Sequence, residues 1–133
     1  MHEYYLFHIK HDIYQLYKKN CYPLYQTLKN IYHLKAEDLN YGRNLYRQLC
    51  VTFNLKIVNE YLDKRYYLIY YKKNMYYFIN SYTKEKTLVK VGYSRIYIKS
   101  NVNLPKIIEI FKFYNQKIFV CNFKTGDYFW LTK

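Results

Sequence analysis

Apolar and polar positions change period several times along the chain, and each change marks a new element. Residues 3–9 carry Tyr4, Tyr5, Leu6, Phe7 and Ile9 in an aromatic, β-prone run bounded by charge, which predicts a strand. Asp12 is a good helix N-cap. Ile13, Leu16 and Tyr17 then fall at i, i+3 and i+4, one face of a short helix ending near Lys18 and Lys19, where basic residues suit the helix dipole. Pro23 suits the first turn of a second helix, which sets Leu24, Leu28 and Ile31 on one face and ends near Leu34. A third helix begins after Ala36, with Glu37 and Asp38 at its N-terminus. Its stripe of Leu39, Tyr46, Leu49, Cys50 and Phe53 crosses Gly42, which costs about 1 kcal/mol against alanine but leaves room for close packing.

Strand periodicity follows. Val51, Phe53, Leu55 and Ile57 alternate with Thr52, Asn54 and Lys56, and residues 50–54 satisfy both helical and strand patterns. Residues 66–72 and 75–82 read as two strands turning at Lys73 and Asn74, with one continuous helix as the alternative. Residues 87–91 and 95–99 are β-branched runs flanking Gly92, Tyr93 and Ser94, a hairpin signal. Asn103 predicts a helix cap, with Pro105 in the first turn and Leu104, Ile107, Ile108 and Phe111 on one face. The chain closes with a strand over 118–123, a turn at residues 124–127 containing Gly126, and a strand over 128–131. No repeat, linker or composition break divides it, so the pattern predicts one α+β domain spanning residues 1–133, with helices packed on a mixed or antiparallel sheet.

Composition changes this picture in two ways. Among 133 residues there are 21 tyrosines, enough that many must be read first as large, half-buried packing residues whose hydroxyls want water or a partner. The formal net charge of +13 favours an acidic partner. Three widely spaced cysteines without metal-ligand spacing point to free thiols and a reducing compartment. The chain shows no basic start followed by a long apolar run, and no stretch long enough to span a bilayer. A cytoplasmic protein with no membrane partner is the expectation.

Candidate chemistry is sparse. His8 and His11, with Asp12, have the beginnings of a metal site, but a run leaving a strand seldom aims two imidazoles together, and solvated side chains are expected. Three isolated glycines build no phosphate-cradling loop, and the nine acidic residues form no evident catalytic pair. Neither an enzyme nor a cofactor is expected. Basic residues interleave with aromatics in Lys64-Arg65-Tyr66-Tyr67 and Tyr70-Tyr71-Lys72-Lys73, the ingredients of single-strand binding, so a nucleic-acid-binding module is the alternative function. On the first helix, Tyr14 lies off the Ile13–Leu16–Tyr17 stripe and offers an outward ring for an interface.

Two stretches resemble a known family. Tyr4-Tyr5-Leu6-Phe7-His8-Ile9-Lys10, continuing through Asp12-Ile13 to Tyr17, is similar to the opening of the SirA family, the sporulation inhibitors of replication. So is the end, Phe119-Val120-Cys121-Asn122-Phe123-Lys124 followed by Tyr128-Phe129-Trp130-Leu131. The resemblance implies a non-enzymatic regulator that binds domain I of the replication initiator DnaA and blocks initiation. The family's contact surface has an aromatic and a tyrosine on the first helix, and a glutamine with a nearby tyrosine on a later one. Here Tyr17 matches the first-helix tyrosine, Ile13 replaces the aromatic, Gln48 is the counterpart of the glutamine, and Cys50 or Val51 stands where the later tyrosine would be. The resemblance thus implies an apolar patch centred on Ile13 and Tyr17, with Lys18, Arg47 and Gln48 as its polar rim.

Overall fold

The chain builds one antiparallel sheet in which two adjacent strands are apolar on both sides. The computed structural model describes residues 1–113 and 117–131. Strand β1 (His2–Ile9) is followed by helices α1 (His11–Tyr17), α2 (Tyr22–Tyr32) and α3 (Leu39–Leu49), a single 3-10 turn at Ala36–Asp38 preceding the last. The two-residue strand β2 (Cys50–Val51) leads into helix α4 (Leu55–Asp63). Strands β3 (Ile69–Lys72), β4 (Met75–Asn80), β5 (Glu85–Val91) and β6 (Ile96–Ser100) form a meander, a 3-10 helix spans Lys106–Phe113, and β7 (Ile118–Asn122) and β8 (Asp127–Leu131) close the chain.

The strand order is β3-β4-β5-β6-β1-β7-β8, every pairing antiparallel. Strand β1 pairs with β6 from His2 to Leu6, and with β7 from Tyr5 to His8. Beyond Leu6, β2 takes the place of β6, with His8 opposite Val51 and Ile9 opposite Cys50.

Side chains alternate across a strand, and the two faces carry separate cores. On one face Tyr4, Leu6, Val89, Val91, Ile96, Ile98, Ile118, Val120 and Leu131 meet Val58 and Leu62 of α4 and Ile107, Ile108 and Phe111 of the long 3-10 helix. On the other, Tyr5, Phe7, Ile9, Phe119 and Cys121 meet Leu24, Tyr25 and Leu28 of α2, with side chains of α1 and α3 around them. All of β7 is buried, while β5 alternates. The helices α1 to α3 leave from the end of β1, and their core contains residues of β1, β7 and β8 and only Tyr97 from the meander. The meander is therefore covered on the first face and largely open on the second.

Tyrosine hydroxyls fasten these layers. Tyr4 donates to Asn103 Oδ1 at 2.9 Å and accepts from the Leu104 amide at 2.9 Å. Tyr76, buried beneath α4, donates to Asp63 Oδ1 at 2.9 Å and lies 3.0 Å from Asn59 Oδ1. Tyr46 ties α3 to the β5–β6 loop through the Ser94 carbonyl at 3.0 Å, and Tyr61 ties α4 to the 3-10 helix through the Ile110 carbonyl. Gly42 is buried where α3 crosses α2, and an added Cβ would stand 2.6 Å from Leu34 Cδ1, so the close packing read from the sequence is present.

Several expectations need correction. Helix α1 begins at His11, so Asp12 lies in its first turn and accepts from the Ile13 amide at 2.9 Å instead of capping. Its buried side is Ile13, Tyr14 and Tyr17, and Leu16 points outward at 71% exposure. The phase is set by Tyr14, whose ring meets Trp130 edge-on at 4.8 Å, a contact only an aromatic at that position makes. Leu39, placed on the buried stripe of α3, is 49% exposed. The strand expected over residues 51–57 stops after Val51, because the Asn54 side chain caps α4 by accepting from the Ile57 amide at 3.1 Å. Leu55, Val58 and Leu62 then meet the sheet at i, i+3 and i+7. Asn103 caps no α-helix. Its carboxamide oxygen is taken by Tyr4, the chain turns through Leu104 at φ 47°, and Ile108 and Phe111 reach the core from a 3-10 helix, where i and i+3 eclipse. The 66–82 segment holds the expected hairpin and not a helix, but its strands are shorter than the expected 66–72 and 75–82, Ile69–Lys72 and Met75–Asn80, turning through Asn74 at φ 65°. Its edge strand β3 is exposed at all four positions and carries a register shift between Tyr70 and Lys72.

Burial pushes the Cys50 thiol up to about 12 and the Cys121 thiol well above its ordinary value, so both stay protonated at neutral pH. The hydroxyl fastening has a direct test. Tyr76→Phe leaves the acceptors beneath α4 without their donor and should lower the unfolding free energy by about 1–2 kcal/mol in chemical denaturation. Tyr70→Phe, at a position 61% exposed, should change it by less than about 0.5 kcal/mol.

Candidate functional site

The residues singled out for partner binding fall on α1 and the last turn of α3. The two are joined by the backbone. Lys10, where the chain leaves β1, donates its amide to the Leu49 carbonyl at 2.9 Å, and the β1–β2 ladder holds the same junction from the other side. Ile13 stands in the first turn of α1, while Arg47 and Gln48 stand in the last turn of α3 with Val51 just beyond. Tyr17 and Lys18 lie about 6–8 Å further along α1 by helical rise.

Burial divides this set. Arg47, Gln48, Val51 and Lys18 are exposed. Ile13, Tyr14 and Tyr17 are half-buried against the second core, each presenting only part of its side chain. Tyr14, expected to be the outward ring, is the one seated on Trp130. The apolar side chain that α1 does project is Leu16, which the helical spacing places on one face with Ile13 and Tyr17. Two helical faces fit the same seven residues, and the second becomes visible only once Trp130 is known to lie across from Tyr14. On α1 the candidates are thus an exposed leucine beside partly covered Ile13 and Tyr17, with Lys18 at the helix end, and on α3 they are the exposed Arg47 and Gln48. Covering Leu16 on docking is worth about 1–2 kcal/mol.

The other candidates separate in space. Arg65 is held by its own helix: Nη1 donates to the Tyr61 carbonyl at 2.9 Å, and the guanidinium lies 3.7 Å from the Tyr61 ring centroid. Tyr67 packs edge-on to Phe78 at 6.1 Å, on the covered side of the sheet. In the second basic-aromatic run Tyr70 meets Tyr76 on that same side, while Tyr71 meets Tyr77 on the opposite one. His8 is half-buried against Phe53, ring centroids 6.0 Å apart, which corrects the expectation of a solvated side chain, and His11 is exposed on α1. Among the described residues no group of three His, Cys, Asp or Glu side chains is placed to hold a metal ion. Among them, too, no helix is long and apolar enough to cross a membrane.

Burial, and secondarily the charge of Lys117, lowers the His8 pKa below its ordinary 6.5. The folded state therefore resists protonation more than the unfolded one. The stability this gives is fully present above 6.5 and is lost as pH falls through the lowered folded value. Denaturation midpoints between about pH 7.5 and 5 should fall less steeply in His8→Gln than in the parent. The Tyr14–Trp130 contact has an optical readout, since Trp130 is the one tryptophan of the sequence. Tyr14→Ala should shift Trp130 emission to the red, raise its quenching by acrylamide, and cost about 2 kcal/mol of stability.

No protein-family model matches this chain, and no curated protein matches it.

Proposed function

We propose that this chain is a non-enzymatic inhibitor of DNA replication initiation that docks on domain I of the initiator DnaA through α1 and the end of α3. The observation that supports the proposal is the Lys10–Leu49 backbone bond, which brings the start of α1 to the end of α3, two segments that the SirA resemblance names separately. Ile13, Leu16 and Tyr17 supply an apolar centre, and Lys18, Arg47 and Gln48 a polar rim. Both segments rest on the buried second core, so the surface is presented without a folding step on binding. The basic rim speeds encounter with an acidic helical face. Inhibition follows from occupancy: the covered face of domain I can no longer self-associate or recruit other factors.

Calorimetric titration with purified DnaA domain I tests this, with Trp130 emission recorded in parallel because Tyr14 links that indole to α1. Binding at micromolar strength or tighter is expected. Leu16→Glu and Gln48→Ala, both at exposed positions, should each weaken it by about tenfold or more while leaving thermal stability unchanged. A silent titration with the parent protein removes the proposal.

A further inference from the structure

The uncovered half of the second sheet face has a composition of its own, visible only once strand register is known. Two rows of cross-strand neighbours run over it. One passes from Ile69 through Tyr77 and Leu88 to Lys99, and the other from Lys72 through Met75 and Lys90 to Tyr97. Ile79 and Lys86 form a further pair. Tyr71 projects to the same side, its ring 5.3 Å from that of Tyr77. Ile69, Tyr71 and Ile79 are each more than half exposed, as large apolar side chains on a finished surface seldom are.

Cations are spread through these rings. Lys72, Lys86 and Lys90 are exposed, and Lys99 is partly so. The Lys86 ammonium lies 5.2 Å from the Tyr77 ring centroid, and that of Lys72 lies 5.8 Å from Tyr71. The carboxylate that this side of the sheet carries is Glu3, at the inner border, and it is engaged by Lys124 and the Tyr97 hydroxyl. At that border a cavity of about 310 Å³ is lined by Lys90, Arg95, Ser94, Gly92 and Tyr97. It is a concave, cationic place of a size to admit a phosphate.

We propose that this open sheet face binds single-stranded nucleic acid, with Tyr71 and Tyr77 stacking on bases and Lys72, Lys86, Lys90 and Arg95 holding phosphates. Flat rings interspersed with ammonium groups are the two things an unpaired strand needs, and a duplex hides the base faces that the rings would take. An acidic protein or a vesicle surface would be matched by the charges and would accept tyrosine rings, but the mixture of ammonium groups with rings they touch matches the phosphates and bases of an unpaired strand on both counts. In the free protein Lys72 and Lys86 lie against the rings. When a base arrives, each ammonium can move to a phosphate while the ring keeps a π partner. The inference is independent of docking through α1, which lies over the other half of the same face.

Fluorescence anisotropy of a labelled oligothymidylate, measured across a salt series, tests it. Binding should be present at low salt, with log K falling linearly against log salt. The triple variant Lys72→Gln, Lys86→Gln, Lys90→Gln should flatten that slope by about 2. Tyr71→Ala and Tyr77→Leu should each weaken binding about fivefold or more with the slope unchanged. Leu16→Glu, the variant expected to lose docking on DnaA domain I, should bind the oligonucleotide like the parent. Absence of binding at low salt overturns the proposal. So does equal affinity for duplex or heparin with silent tyrosine variants, and so does binding of phosphatidylglycerol vesicles without binding of the oligonucleotide.

Discussion

Strands β1 and β7 are apolar on both sides, and that sets the rest of the molecule. A strand buried on both faces needs a layer above and a layer below, so the sheet cannot be a one-sided half-sandwich there. The chain meets this demand with what the connections allow. The helices leaving the end of β1 fold back over β1, β7 and β8. The helices that flank the meander in sequence, α4 and the long 3-10 helix, cover the opposite side. The sheet is wider than the first of these layers, and the surplus width is the open face. The open face is therefore the consequence of a mismatch between sheet width and helix cover.

The tyrosine content acquires a structural meaning on this frame. Many of the rings fill cores, but their hydroxyls end at boundaries between layers, where Tyr4, Tyr46, Tyr61 and Tyr76 each close a bond to an element distant in sequence. A phenylalanine would fill the same volume and leave the carbonyl or carboxamide opposite it without a donor. The residue type that looks like compositional drift is thus partly a set of long-range fasteners. Tyr66 and Tyr82, each almost wholly exposed, have no such role and show that the bias also reaches positions where nothing is fastened.

Local signals carried the hairpins and most helices, because the alternation of β5 and β6, the Lys73-Asn74 turn and Pro23 are all readable within a few residues. Helix α4 was hidden because Val51, Phe53, Leu55 and Ile57 alternate like a strand and Asn54 inside that run reads as one of its polar positions, whereas Val58 and Leu62, which meet the core, lie beyond it. The phase of α1 was settled by Trp130, more than 110 residues away. In the candidate docking surface, Arg47, Gln48 and Lys18 stand exposed, but the projecting apolar residue is Leu16 and not Tyr14. The open face was the least visible of all. Its residues come from separate strands and meet only through register: of the two basic-aromatic runs in the sequence, one supplies Tyr71 and Lys72 to this face, while Arg65 and Tyr67 of the other are occupied elsewhere.

One edge of the sheet ends in β3, four exposed residues with unpaired backbone groups and a bulge beside Lys72. A straight ribbon edge of this aromatic character would zip onto its like in a neighbouring molecule and grow into a fibril. The bulge kinks the ladder out of line, and Lys72 with Lys73 sets like charges opposite each other in any such stack. The hairpin tip thus serves as a guard against polymerisation in a chain so rich in rings.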